Sequence, residues 1–178
     1  MYSNLELTAN LAYYEARYYE ATYNSSAQDL RTMLLCSKAS ILEVCGWVEE
    51  VMDLLVREAA QRCSLSAARL KWIDTEYVRP TYGFSYQKHF EKMIVSVVGY
   101  RVLETAEGNV GAELPVMNGS LTFLTPLRNY YAHTHFNLTN PFPKDMSSIP
   151  APTATTQHAY NVVAGLTALE NQLIVLGC

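Results

Sequence analysis

The sequence predicts an all-α fold, a bundle of about five or six helices, and three observations carry that expectation. Apolar residues recur at alternating steps of four and three from residue 27 to about residue 62: Leu30, Leu34, Ile41, Val44, Val48, Val51 and Leu55, with Ser37 the one polar member of the row. The same steps return in Val162, Leu166, Leu169, Leu173 and Leu176. Between these seams there is no convincing set of alternating strands and no repeat of fixed period, which leaves helix packed on helix as the architecture.

Each element has a local reason. Residues 3–22 join Leu5, Leu7, Leu11, Tyr14 and Tyr18 to alanines and glutamates, with neither Gly nor Pro, and so favour a helix. Asn24-Ser25-Ser26 breaks it. The long seam starts at Ala27 and contains Gly46, which costs helix stability but can let a neighbouring helix approach closely. A short helix begins near Ser64, an N-cap residue type, and includes Leu65, Leu70, Trp72 and Ile73.

The stretch 78–84 reads as a loop, because Pro80 biases Arg79 away from helix and Gly83 permits a turn. Phe90, Ile94, Val97 and Val98 then return to helical spacing, so one helix is expected from Tyr86 to about Ala106, although the β-branched run 94–98 would also suit a strand. Gly108-Asn109-Val110-Gly111 ends it. From Leu114 to about Phe136 the pattern is helical again, and Thr125-Pro126 either caps a new helix or kinks one that starts near Ser120. Four of the seven prolines fall in residues 141–152, a Pro-rich loop before the last helix, which is expected from Thr155 or Thr156.

Composition narrows the function classes. A chain of 178 residues, 49% apolar and only 17% charged, suits one folded domain over residues 1–178 and argues against disorder. No run approaches eighteen apolar residues, and the first ten residues carry no basic patch or apolar core, so a soluble cytoplasmic chain without a membrane partner is expected. Cys36, Cys45, Cys63 and Cys178 form no C-x-x-C pair, so they read as buried reduced thiols.

A net charge of −4 disfavours nonspecific coating of nucleic acid. It conceals an asymmetry. Residues 57–101 hold eight basic side chains against four acidic ones, a local balance of +4, which leaves −8 for the rest of the chain. This middle segment, with Lys88, His89 and Lys92, suits either phosphate contacts or a solvated set of helix faces.

The densest polar cluster is the string 127–136, Leu-Arg-Asn-Tyr-Tyr-Ala-His-Thr-His-Phe. Arg128 offers a guanidinium fork for a phosphate, and the imidazole of His133 is of the type that exchanges protons near neutral pH. Together they supply the minimum for metal-free phosphodiester cleavage. Other reaction classes lack their parts: there is no Gly-rich phosphate loop, no H-E-x-x-H, no G-x-S-x-G and no carboxylate cluster of metal-binding spacing. His133 and His135 could sit together on an extended piece, but no adjacent Asp, Glu or Cys completes a ligand set, so neither metal nor cofactor is expected. Arg128 and His133 are five apart, about 140° around an ideal helix. Three arrangements remain open: the helix ends or bulges near Ala132, the His turns back from its end, or a two-fold dimer brings two motifs together.

The string RNYYAH, closing the apolar segment LTFLTPLRNYYAH, resembles the R-x(4-6)-H motif of the HEPN superfamily, whose members commonly carry Asn after the Arg. The long preceding helix, with Glu49-Glu50 in its middle, is similar to the long early helix of prokaryotic HEPN domains. The likeness covers residues 27–135 loosely, and the motif carries its specificity. It implies a helical bundle that forms a homodimer with a composite cleft. It further implies a metal-independent endoribonuclease that cleaves tRNA or other RNA as a toxin or defence effector. Arg128 would then bind the scissile phosphate, His133 would act as general acid or base, and Asn129 would orient the Arg or the phosphate.

Tyr130 and Tyr131 are candidates to contact the substrate, one of them by stacking on a base, with core packing the alternative for each. His135, Lys88 and Lys92 complete the candidate RNA contacts. Some HEPN toxins carry, two residues after the motif His, a tyrosine that a nucleotidyltransferase antitoxin modifies; here that position is His135, so an antitoxin partner would act by another route. The alternative to an enzyme is a non-catalytic helical module that binds a partner protein or nucleotide.

Overall fold

The computed structural model describes residues 5–23, 26–133 and 149–178, and among them every regular element is helical. Seven α-helices follow in order among these described residues: α1 (Leu5–Thr22), α2 (Ala27–Arg62), α3 (Ala67–Ile73), α4 (Glu91–Val98), α5 (Tyr100–Val110), α6 (Glu113–His133) and α7 (Pro152–Val175). Two single π-helical segments, Asp74–Val78 and Tyr86–Phe90, flank the loop before α4. The all-α bundle expected from periodicity is therefore the fold. No described helix is long and apolar enough to cross a membrane.

Local chemistry explains the boundaries. Ser26 and Asp29 form a reciprocal capping box at the start of α2: the Ser26 N–H donates to Asp29 at 3.0 Å and the Asp29 N–H donates to the Ser26 hydroxyl at 3.2 Å. Along α2, Leu34, Ser37, Ile41, Val44, Val48, Val51 and Leu55 are all buried, so the seam read from the sequence is the buried stripe of the helix from Leu34 onward, while Leu30 at its start is half-buried. Gly46 mediates no close approach, since no described atom lies within 4 Å of where its Cβ would stand. The next helix is capped by Ser66, whose hydroxyl accepts the Arg69 N–H at 3.3 Å, and not by Ser64, which adopts φ 53° where α2 ends.

The single helix expected over residues 86–106 is three elements. A π segment leads directly into α4, and Gly99 at φ 78° stops α4 and starts α5. Gly108 and Asn109 stay helical, and Gly111 at φ 74° provides the stop instead. α7 begins at Pro152, three residues earlier than expected, with proline at the first helical position, where no hydrogen bond is lost. Of the Pro-rich loop, residues 141–148 lie outside the described residues.

The chain divides into two compact units: Val48–Phe123 with Tyr160–Cys178, and the described residues of Tyr2–Trp47 with Leu124–Ala159. α2, α6 and α7 contribute to both. In the first unit, Leu55, Phe90, Ile94, Met117, Leu166 and Leu169 are among the fully buried side chains. Arg57 donates to Asp74 at 3.0 Å, Arg79 pairs with the same carboxylate at 2.7 Å, and the Tyr86 hydroxyl donates to Glu107 at 2.6 Å. Burial, reinforced by that Glu107 bond, raises the Tyr86 pKa.

In the second unit, Leu7, Leu11, Leu34, Ile41, Leu124 and Tyr131 are buried. Polar side chains tie α1 to α2 and α7: Asn10 donates to Glu43 at 2.6 Å, Thr156 donates to Glu15 at 3.0 Å, and the Tyr19 and Thr153 hydroxyls lie 3.2 Å apart.

Candidate functional site

The candidate residues Arg128, Asn129, Tyr130 and His133 share the last turns of α6, within the second unit. Helix persists through Pro126, because the proline interrupts only one i→i−4 bond while Leu124 and Tyr131 on either side of it are buried. It also continues without a bulge from Arg128 to His133, the last described residue of α6. An uninterrupted helix places these two side chains about 140° apart in azimuth and about 7.5 Å apart along the axis. Among the described residues no bulge therefore falls between Arg128 and His133, and α6 as described stops at His133, next to Ala132.

Burial sorts the motif. Arg128 is half-buried, whereas Asn129 and His133 are exposed. The Arg128 guanidinium donates from Nη1 to the Asn129 amide oxygen at 3.4 Å, a long bond that holds the two heads side by side. Tyr130 is 47% exposed, while Tyr131 is 2% exposed and packs edge-on against the Tyr130 ring with centroids 5.1 Å apart. Burial, with Tyr130 alongside, pushes the Tyr131 phenol up to about 12. Of the two candidate stacking residues, Tyr131 is thus occupied in the core and Tyr130 keeps a face toward solvent. His135 lies outside the described residues.

Lys88 and Lys92 belong to the other unit, on the second π segment and α4, and both are exposed. His89 between them serves the local fold. Its Nδ1 accepts the Ser85 N–H at 3.1 Å, and its ring lies so close to Gly83 that a Cβ there would come within 2.6 Å of it. Burial first, then Lys92 and Lys88, lower the His89 pKa, which suits an imidazole that must stay neutral to accept a hydrogen bond. Among the described residues no three His, Cys, Asp or Glu side chains gather as a ligand set.

A cleft the sequence did not single out lies between α1 and α2 of the second unit. It has a volume of about 260 Å³ and is lined by Tyr13, Tyr14, Arg17, Thr32, Leu35, Cys36 and Ala39. The sequence signal for it is a pair of Tyr-Tyr dipeptides flanking Arg17, a pattern equally compatible with helix packing. No family model, curated protein or solved structure matches the chain.

Proposed function

We propose that the chain is a metal-independent endoribonuclease of the HEPN type, acting as a homodimer whose two α6 ends line one cleft. The observation that carries this reading is the presentation of Arg128, bonded to Asn129, and of exposed His133 on one uninterrupted helix end. Because that helix separates the two groups within a chain, a second copy supplies the missing partner: Arg128 of one copy faces His133 of the other.

In such a cleft the Arg128 guanidinium holds the non-bridging oxygens of the scissile phosphate in a bidentate grip and stabilises their growing charge. A neutral His133 takes the proton from the RNA 2′-hydroxyl, and the O2′ electron pair attacks phosphorus. The bond from phosphorus to the 5′ oxygen breaks, and that oxygen takes a proton from an imidazolium. The products are a 2′,3′-cyclic phosphate and a 5′-hydroxyl. Exposed Tyr130 stacks on a neighbouring base, and the basic stretch with Lys88 and Lys92 contacts the RNA backbone.

The resemblance of RNYYAH to the HEPN motif supports the RNA substrate and a cytoplasmic role as toxin or defence effector, restrained by an antitoxin protein. Incubation of wild type and His133→Ala with total tRNA in EDTA tests the chemistry. Cleavage by wild type alone, with cyclic phosphate ends, is the expected result. Absence of cleavage, or cleavage that EDTA abolishes, would point to a helical binding module or a different enzyme.

A further inference from the structure

Two helix ends converge on a pair of cysteines in the first unit. α2 ends in a left-handed turn in which the Cys63 N–H donates to the Ala59 carbonyl at 2.9 Å and the Ser64 N–H donates to the Gln61 carbonyl at 3.0 Å. α7 ends in a Schellman motif: with Gly177 at φ 86°, the Gly177 N–H donates to the Ile174 carbonyl at 3.0 Å and the Cys178 N–H donates to the Leu173 carbonyl at 2.8 Å. Main-chain hydrogen bonds therefore fix both cysteines.

A third anchor joins them. Arg62, next to Cys63, donates from Nε to the Cys178 carbonyl at 2.9 Å, while its Nη1 pairs with Glu170 at 3.2 Å. Burial, with the Cys178 thiol alongside, pushes the Cys63 thiol up to about 12. Both residues are partly exposed, whereas Cys36 and Cys45 are buried.

We propose that Cys63 and Cys178 are a redox pair that closes into a reversible disulfide, clamping the end of α2 to the end of α7. With both helix ends fixed by main-chain bonds and bridged by Arg62, side-chain rotation brings the two sulfurs toward the ~2.05 Å of an S–S bond. The oxidant is a low-molecular-weight disulfide. The Cys178 thiolate attacks it and expels one thiol, forming a mixed disulfide. Cys63 then gives its proton to solvent, attacks the Cys178 sulfur and expels the second thiol. The two cysteines lose two electrons and two protons, and the small disulfide is reduced to two thiols.

Oxidation of the full chain with oxidised glutathione, followed by alkylation and tryptic mapping without reductant, tests the pair. The expected product is a monomer in which the peptides covering residues 63–69 and 145–178 are joined, and dithiothreitol separates them. Closing a loop of roughly 115 residues is expected to raise the Tm by about 10 °C, a rise that reductant removes and Cys178→Ser lacks. Glutathione left on Cys178 without the joined peptide would overturn the proposal, as would a Cys63 linkage to a second chain. The mapping uses wild type, so it decides the matter even where Cys178→Ser folds poorly.

Discussion

Arg128 and His133 stand five positions apart on an unbroken helix, their side chains about 140° apart around its axis. In the dimer proposed above, Arg128 of one copy works with His133 of the other, which separates the roles of the motif residues into measurable parts.

His133 is exposed at the end of α6, so its removal leaves no cavity and no buried unpaired group. His133→Ala is expected to lose RNA cleavage while keeping its Tm within about 2 °C of wild type, as an exposed substitution should. Thermal melts beside cleavage assays check this. A large fall in Tm would assign the imidazole to structure.

The two adjacent tyrosines should behave oppositely. Tyr131 is 2% exposed, and Tyr131→Ala is expected to cost about 3–5 kcal/mol of stability, as truncation of a buried aromatic does. Tyr130 is 47% exposed, and Tyr130→Ala is expected to change stability little. It should weaken RNA binding by about 1–3 kcal/mol, the loss of one stacked base. Denaturant titrations and RNA-binding isotherms measure the two effects separately.

Gly165 lies against Met117 so closely that an added Cβ would sit 2.5 Å from the Met117 Cβ. Gly165→Ala is therefore expected to destabilise the protein by about 1–3 kcal/mol, despite the better helix propensity of alanine, because the contact is with a methionine Cβ that cannot swing away. Gly46→Ala has open space and should stabilise by up to about 1 kcal/mol. Opposite signs in paired melts would bear this out.

Much of the fold was legible in the residues themselves. α2 was readable because its apolar row keeps phase from Leu30 to Leu55, and the buried face of α7 was readable for the same reason through Leu173, whereas Leu176 of that row lies beyond the helix and is exposed. The breaks at Gly99 and at the π segments were not, since the apolar spacing of Phe90, Ile94, Val97 and Val98 runs up to Gly99 without announcing a stop. Ser64 and Ser66 are both good cap residues, and only the left-handed turn at Ser64 decides between them. At the candidate site, the sequence named Arg128, Asn129 and His133 but could not tell which tyrosine is buried, because neighbouring positions on a helix differ by about 100° and either can face inward.

Acid sensitivity should appear at Asp74. The hydrogen bond from Arg57, with Arg79 alongside, holds the Asp74 carboxyl below the usual carboxylate range. A carboxyl whose folded pKa is depressed contributes stability that is present above its unfolded value of about 4 and is lost as pH falls through the folded value. The stability advantage of wild type over Asp74→Asn should therefore be constant from about pH 5 to 7 and shrink below about pH 4. Urea melts across that range check the sign. An advantage that grows on acidification would contradict it.

The most direct test of the central claim mixes two inactive variants. Arg128→Ala retains His133 and His133→Ala retains Arg128, so a cleft shared between copies regains one intact pair only in the mixed dimer. Co-expressed at equal levels and assayed on tRNA in EDTA, the two should recover about a quarter of wild-type cleavage, since half the dimers are mixed and each holds one of two pairs. Neither variant alone should cleave. A mixture that stays inactive, although mass measurement shows mixed dimers, would contradict a ribonuclease centre built from Arg128 of one copy and His133 of the other.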